Sequence, residues 1–422
     1  MSPKSRGRPK GRGRDLKRRP GGIAAHERSL PEELLIKASV LAAETDPLEA
    51  ERWASEWLGV AWATASMGER GAERQLCTDV ARRAGQRPSP RALAAVAALL
   101  RVAAPSEQPL LRDAVTLLAE GQPLPVWHDA PAAPTVAAWR AVDVWDSRRA
   151  LFVEFAGPTP HVLMAVVSHV GGVLVDQLAL LTPGIAERWP TLHTDGDPPM
   201  PLAEAPVNEV LAELASALRI SDLTWPRPDD ESYLELRRLA WARCRDHLEP
   251  FGDVEHLDDA QRAELLEAFW ALPEVTALPA AKDAVFYVSS LCLDYGEGYI
   301  PSGHLAWSPA QVELFLTDWL PRKATLDADD RTALPLVLPA WIRFALQRRD
   351  VPEQWITPVT RAVQENLPAF TEAFGDPSAA GPAKKVLAQL QELGVDLTDT
   401  EAVQRGIRAV NADYLARQLL DE

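Results

Sequence analysis

The chain has 422 residues, of which 47% are apolar and 25% charged, and its formal net charge is −16. That length supports a large buried core, and that composition excludes a mostly disordered, a collagen-like or a small disulfide-stapled protein. Nine of the 44 basic residues but one of the 60 acidic ones lie in residues 1–19, a local charge of +8, so the remaining chain carries 35 basic and 59 acidic groups, a charge of −24.

Residues 1–28 have no apolar periodicity and are rich in Gly, Pro and Arg, which predicts a disordered basic arm that seeks polyanions. Arg6-Gly7-Arg8-Pro9 stands at its centre, followed by Lys10, Gly11 and Arg12. Gly7 lets the backbone sink to a groove floor, and Pro9 favours an extended path. Arg6 and Arg8 can then lie along a narrow A·T minor groove, where negative potential is concentrated. Lys4, Lys10, Arg12, Arg14, Lys17, Arg18 and Arg19 are suited to neutralise phosphates, a salt-dependent contact blind to sequence. Ser5 to Arg12 resembles the AT-hook, a short minor-groove motif centred on Arg-Gly-Arg-Pro; the resemblance covers about ten residues. It implies binding to A·T-rich DNA through Arg6, Gly7, Arg8, Pro9, Lys10 and Arg12, with the arm ordering on contact; Arg14, Lys17, Arg18 and Arg19 join the expected DNA-binding set through their charge.

Residues 29–120 read as a helical segment. Glu32–Ala43 spaces Leu34, Leu35, Ala38, Leu41 and Ala42 for one helix face, and Leu48–Ala65 puts Trp53, Trp57, Val60 and Ala61 on one stripe. Ala72–Ala84, Pro90–Ala103 and Glu107–Ala119 follow as Ala/Leu-rich helices punctuated by Pro88, Pro90, Pro105 and Pro109.

Residues 121–206 carry the sheet signal. Val136–Trp145, Ala150–Ala156, His161–Val170 and Val173–Leu181 are β-rich runs divided by Asp146-Ser147, Gly157-Pro158 and Gly171-Gly172, which predicts a four-stranded antiparallel meander with a two-residue turn at Gly171-Gly172. The last two runs are apolar on both faces, so both should be covered. Thr182–Pro206 reads as a loop.

Residues 207–300 return to helix, with Val207–Leu218, Ser232–His247 and Asp258–Ala271, then a mixed stretch at Ala284–Leu293 and turns at Asp294–Gly303. Residues 301–422 form the C-terminal helical segment: Ser308–Trp319, Leu334–Arg348 kinked or started by Pro339, Pro358–Phe374, Pro382–Leu393 and Thr398–Leu420, the last with a Thr398/Glu401 capping box. The fold class expected is α+β and mainly α-helical.

Chemistry in the body is sparse. With a tight turn at Gly171-Gly172, His169 and Asp176 fall diagonally on one sheet face with His161, a pairing that can shift a pKa and supply a base. Cys244-x-x-His247 with His256 has no recognised zinc spacing, and His193-x-Asp195-x-Asp197 and Asp327-x-Asp329-Asp330 read as solvated acidic loops rather than calcium loops. Gly296-x-Gly298 and Gly303 lack a following Lys-Ser/Thr for a phosphate loop. Fourteen tryptophans read as core, with Trp307, Trp319, Trp341 and Trp355 offering a base-stacking surface as the alternative. No cofactor, metal site or catalytic residue is assigned.

The three cysteines, Cys77, Cys244 and Cys292, are far apart, as suits a reducing cytoplasm. The basic start leads into Pro and Gly rather than an apolar core, so no secretory leader is expected. Val162–Leu181 contains Ser168, His169, Asp176 and Gln177, which argues against a membrane span. The reading is a cytoplasmic, non-enzymatic DNA-associated accessory protein, nucleoid-associated through its arm, whose acidic body contacts a protein partner. Two alternatives are a protein-interaction scaffold with an incidental basic tail, and an enzyme using His161, His169 and Asp176 on the sheet.

Overall fold

In the computed structural model the described residues are 29–69, 71–189, 198–228, 230–252 and 256–376, with a few positions between 381 and 405. The arm of residues 1–28 lies outside them, as do the helices expected at 382–393 and 398–420, apart from a few positions. The architecture is α+β and mainly helical, with helices on both sides of one central sheet.

Five helices come first: α1 (Leu30–Lys37), α2 (Pro47–Thr64), α3 (Ala72–Gln86), α4 (Pro90–Val102) and α5 (Gln108–Ala119). Pro47 and Pro90 start α2 and α4, where a missing N–H costs nothing, and the side chains of Asp46 and Ser89 cap them. α4 is the hub of this region, with a continuous buried run from Ala92 to Leu99. The buried seam of α2 is not the tryptophan stripe that periodicity suggests. Trp53 and Trp57 are half-buried and Val60 is exposed, while Ala50, Ala54, Leu58, Ala61 and Trp62 face the core. The reason is the close approach of a later helix, α8 (Glu231–Cys244). A Cβ on Gly59 would sit 2.0 Å from the Leu234 carbonyl oxygen, so small residues must line that contact.

The sheet has five strands, not four, in the order β4-β3-β2-β1-β5. β1 (Thr135–Val142), β2 (Arg148–Phe155), β3 (His161–Ser168) and β4 (Leu174–Leu181) form the expected antiparallel meander. β5 (Leu202–Glu204) arises inside the stretch read as a loop and pairs with β1, Arg140 opposite Ala203. Three residues bounded by prolines give no alternation to read, which is why the edge strand was silent in the sequence. Both sheet faces are covered. Leu151, Val153, Phe155, Leu163, Ala165 and Val167 meet α7 (Val207–Leu223) and α8, while Ala150, Phe152 and Val162 pack under the return segment that contributes Ile185 of α6 (Ile185–Arg188) and Met200.

The C-terminal region has its own core. It comprises α9 (Asp259–Trp270), α10 (Pro273–Thr276), α11 (Lys282–Tyr299), α12 (Pro309–Leu314), which runs through a π turn at Phe315–Trp319 into α13 (Leu320–Lys323), then α14 (Ala328–Gln347) and α15 (Glu353–Gly375). α11 continues through the glycines that were read as turns. A Cβ on Gly296 would lie 2.4 Å from the His304 carbonyl oxygen, so this glycine serves helix–loop contact rather than helix termination. α14 starts at Ala328, capped by Asp327 and earlier than expected, and accommodates Pro335 and Pro339; α15 accommodates Pro358 and Pro368.

Candidate functional site

None of Arg6, Gly7, Arg8, Pro9, Lys10, Arg12, Arg14, Lys17, Arg18 and Arg19 is among the described residues. The described chain enters at Ser29, which forms a capping box with Glu32 at the start of α1.

The three sheet residues do not form a site. The β3–β4 connection is longer than a two-residue turn: Ser168 pairs with Leu174, and Gly171 and Gly172 take φ values of 70° and 143° within the loop. Asp176 is the extra residue of a β-bulge between the Val166–Gln177 and Val167–Val175 pairs, and it is exposed. His161 sits at the other end of β3, buried, stacked on Phe155 with Nδ1 2.9 Å from the Thr159 carbonyl oxygen.

His169 instead pins the sheet to the C-terminal helices. Its backbone N–H donates to the Ser147 carbonyl at 2.8 Å and its carbonyl accepts from the Gln311 side-chain amide at 2.8 Å. The Ser302 hydroxyl donates to the Asp146 carbonyl, so the His169 Nδ1–H donates to Ser302 Oγ at 2.9 Å. Burial, with the Arg149 guanidinium second, pushes the His169 pKa down to about 4, which favours the neutral ring at neutral pH. Asp146, with φ 58°, holds Arg149 through both carboxylate oxygens. These groups bond to one another at a seam between two cores, while the buried His169 Nε2 has no hydrogen-bond partner among the described residues.

Other charged clusters are also paired internally. Glu51 binds Arg101 and Arg243, and Arg101 further donates to the carbonyls of Trp127, His128 and Ala130. Glu73 binds Arg237 and Arg238, and Asp222 takes Arg237 from the other side. Burial alone would raise the Glu73 carboxyl, but the two guanidinium groups overcome it and hold it below the usual range.

The remaining sequence candidates resolve into structural roles. Asp327 and Asp330 are not a solvated loop but the capping box of α14. Cys244 is buried, and no group of three His, Cys, Asp or Glu side chains suited to a metal occurs among the described residues. His193, Asp195 and Asp197 lie outside the described residues. Trp307 and Trp341 are fully buried and Trp319 nearly so, which makes them core rather than a stacking surface. A cavity of about 410 Å³ separates the Gly171-Gly172 loop from the end of α11, where Glu297 is taken up by Arg262 and the Leu257 N–H. No described helix is long and apolar enough to cross a membrane.

One surface feature carries unspent charge. A groove of about 290 Å³ lies where α1, the end of α3 and the start of α4 meet, walled by Leu35 and Ile36 and rimmed by Arg83, Arg87 and Arg91. Arg83 pairs with Glu32 at 2.6 Å, whereas Arg87 and Arg91 are exposed and make no ion pair among the described residues. The sequence reading passed over them. Their signal was there: residues 80–106 hold five arginines and no carboxylate, in a body whose acids far outnumber its bases.

No protein-family model matches the chain, and neither a curated protein nor a solved structure matches it.

Proposed function

We propose that this is a non-enzymatic, DNA-associated accessory or regulatory protein of the cytoplasm. Its arm binds the minor groove of A·T-rich DNA and its acidic body contacts protein partners. One observation carries the reading: Arg6-Gly7-Arg8-Pro9 sits in a nineteen-residue stretch with nine basic side chains and one acid, attached to a body of opposite charge. A guanidinium pair on a narrow backbone suits a tight groove, and the flanking bases add salt-dependent affinity. The charge on the body favours a tethered mode, in which the arm holds the duplex while most of the body faces away.

A mobility shift with the full chain on A·T-rich and G·C-rich duplexes at two salt concentrations tests this. The expected result is tighter binding to the A·T-rich duplex and loss of that preference in Arg6→Ala/Arg8→Ala. Equal affinity for both duplexes, or binding that ignores the double substitution, overturns the proposal.

A further inference from the structure

We infer that the groove rimmed by Arg83, Arg87 and Arg91 is a second nucleic-acid contact, seating the phosphodiester backbone of the duplex that the arm holds. This rests on the DNA-binding reading of the arm and adds a surface on the folded body.

Position is the first argument. The groove wall is α1, and α1 begins at Leu30, directly after Ser29, where the arm joins. Ser29 lies twenty-one residue steps after Arg8, and at most about 3.6 Å per step these span no more than roughly 75 Å. A duplex gripped at Arg8 is thereby confined to the neighbourhood of α1, which raises its effective concentration at any contact nearby.

Charge is the second argument. A body of −24 repels a polyanion over most of its surface. The 80–106 stretch is a gap in that field, because it contributes Arg82, Arg83, Arg87, Arg91 and Arg101 without an acid. Not all of these are available: Arg101 is consumed by Glu51, Arg82 by Asp79 and Arg83 by Glu32. Arg87 and Arg91 remain, one closing α3 and the other in the first turn of α4, both exposed at the same groove. Glu32, the carboxylate lining the groove, is engaged by Arg83, whose guanidinium holds its pKa below the usual range. With Glu32 taken up by Arg83, the exposed Arg87 and Arg91 present the same sign of charge as the arm to one ligand.

Chemistry fixes the class of occupant. Two planar guanidinium groups with free N–H donors match phosphate oxygens, and no hydrogen-bond acceptor unique to a base edge is needed. The groove therefore contributes affinity without sequence preference, the complement of what the arm supplies.

The test is fluorescence anisotropy of the full chain on A·T-rich and G·C-rich duplexes across a salt series, comparing wild type, Arg87→Ala/Arg91→Ala and Arg6→Ala/Arg8→Ala. Removing two phosphate contacts should weaken binding to both duplexes about tenfold and flatten the log–log salt slope by roughly 2, leaving the A·T preference intact. Both side chains are exposed, so circular dichroism and thermal midpoint should be unchanged. The groove is refuted if its variant keeps wild-type affinity and slope while the arm variant loses A·T preference, an outcome that leaves the arm reading standing. If the groove variant loses affinity on duplexes that the chain never discriminates, the arm reading falls and the groove remains. Absence of any duplex binding by the wild-type chain overturns both.

Discussion

The Nε1–H of Trp145 donates to the backbone carbonyl of Trp355 at 2.9 Å, and the two indole rings meet edge to face with centroids 6.1 Å apart. Trp145 belongs by sequence to the sheet region, just past β1, yet it is buried in the core of the C-terminal helices. Arg349 adds a donor to the Trp145 carbonyl at 2.9 Å. Trp145→Ala should therefore cost about 3–5 kcal/mol, because it leaves a cavity and removes the indole donor to the Trp355 carbonyl. Trp145→Phe keeps most of the ring and should cost about 1 kcal/mol. Urea unfolding followed by circular dichroism measures both; near-identical midpoints for the two variants would show that the ring, rather than the hydrogen bond, is dispensable at this seam.

Much of the fold was legible because it is written in periodicity. The five early helices, the four meander strands and the coverage of both sheet faces follow from alternation and helical spacing. What escaped was set by tertiary contact. β5 is three residues long and exists because β1 offers an open edge. The Trp53/Trp57 stripe misled because helix–helix distance at Gly59 selects small residues for the buried seam, which hydrophobicity alone does not reveal. The His161–His169–Asp176 face failed because the β3–β4 connection is longer than the expected two-residue turn, which shifts the register by one, and because the bulge that shifts it back leaves Asp176 outside the ladder; neither event shows in the alternation. The arginine groove is a juxtaposition of three helices; its charge run was visible, its shape was not.

Glu73 is shared by Arg237 and Arg238, and Arg237 is 2% exposed. Removing the carboxylate charge leaves a buried guanidinium with Asp222 as its remaining partner. Glu73→Gln should destabilise by about 3–5 kcal/mol, the range for breaking a buried pair from one side. Glu365, which faces Arg361 one turn away on the open surface of α15, is the control. Its replacement by Gln should cost less than about 0.5 kcal/mol, since solvent screens an exposed pair. Chemical denaturation of both variants checks the contrast, and comparable losses would mean that the Glu73 cluster is far wetter than its burial indicates.

Acid should loosen the His169 seam. The folded state holds this imidazole near pKa 4, below the ordinary 6.5, so between those values the unfolded chain binds the extra proton and the folded one does not. Stability from this group is complete above about pH 6.5, falls as pH drops towards 4, and changes no further below that. The raised carboxyls of Asp143 and Asp330 act in the opposite sense, because their folded forms hold protons longer. His169→Asn retains an N–H donor for Ser302 without the titration. Subtracting its urea midpoints from those of wild type at each pH isolates the imidazole, and the difference should shrink from pH 6.5 to pH 4. A constant difference across that window means that His169 takes up its proton equally in both states.

Gly296 and Gly298 lie two residues apart in α11 but answer to different constraints. A Cβ at Gly296 would sit 2.4 Å from the His304 carbonyl oxygen and 3.0 Å from its carbonyl carbon, backbone atoms that cannot rotate away. Nothing lies within 4 Å of a Cβ at Gly298, and neither residue takes a positive φ. Gly296→Ala must push the 300–304 segment off the helix and should cost at least about 2 kcal/mol, an overpacking penalty. Gly298→Ala has no such conflict and restricts the unfolded chain, so it should stabilise by about 0.5 kcal/mol. The two thermal midpoints should move in opposite directions from wild type. The 300–304 segment carries Ser302, the partner of His169, so a Gly296→Ala protein that does fold should also show a flatter stability profile between pH 6.5 and pH 4. An unchanged profile would mean that the loop absorbs the extra methyl without moving Ser302.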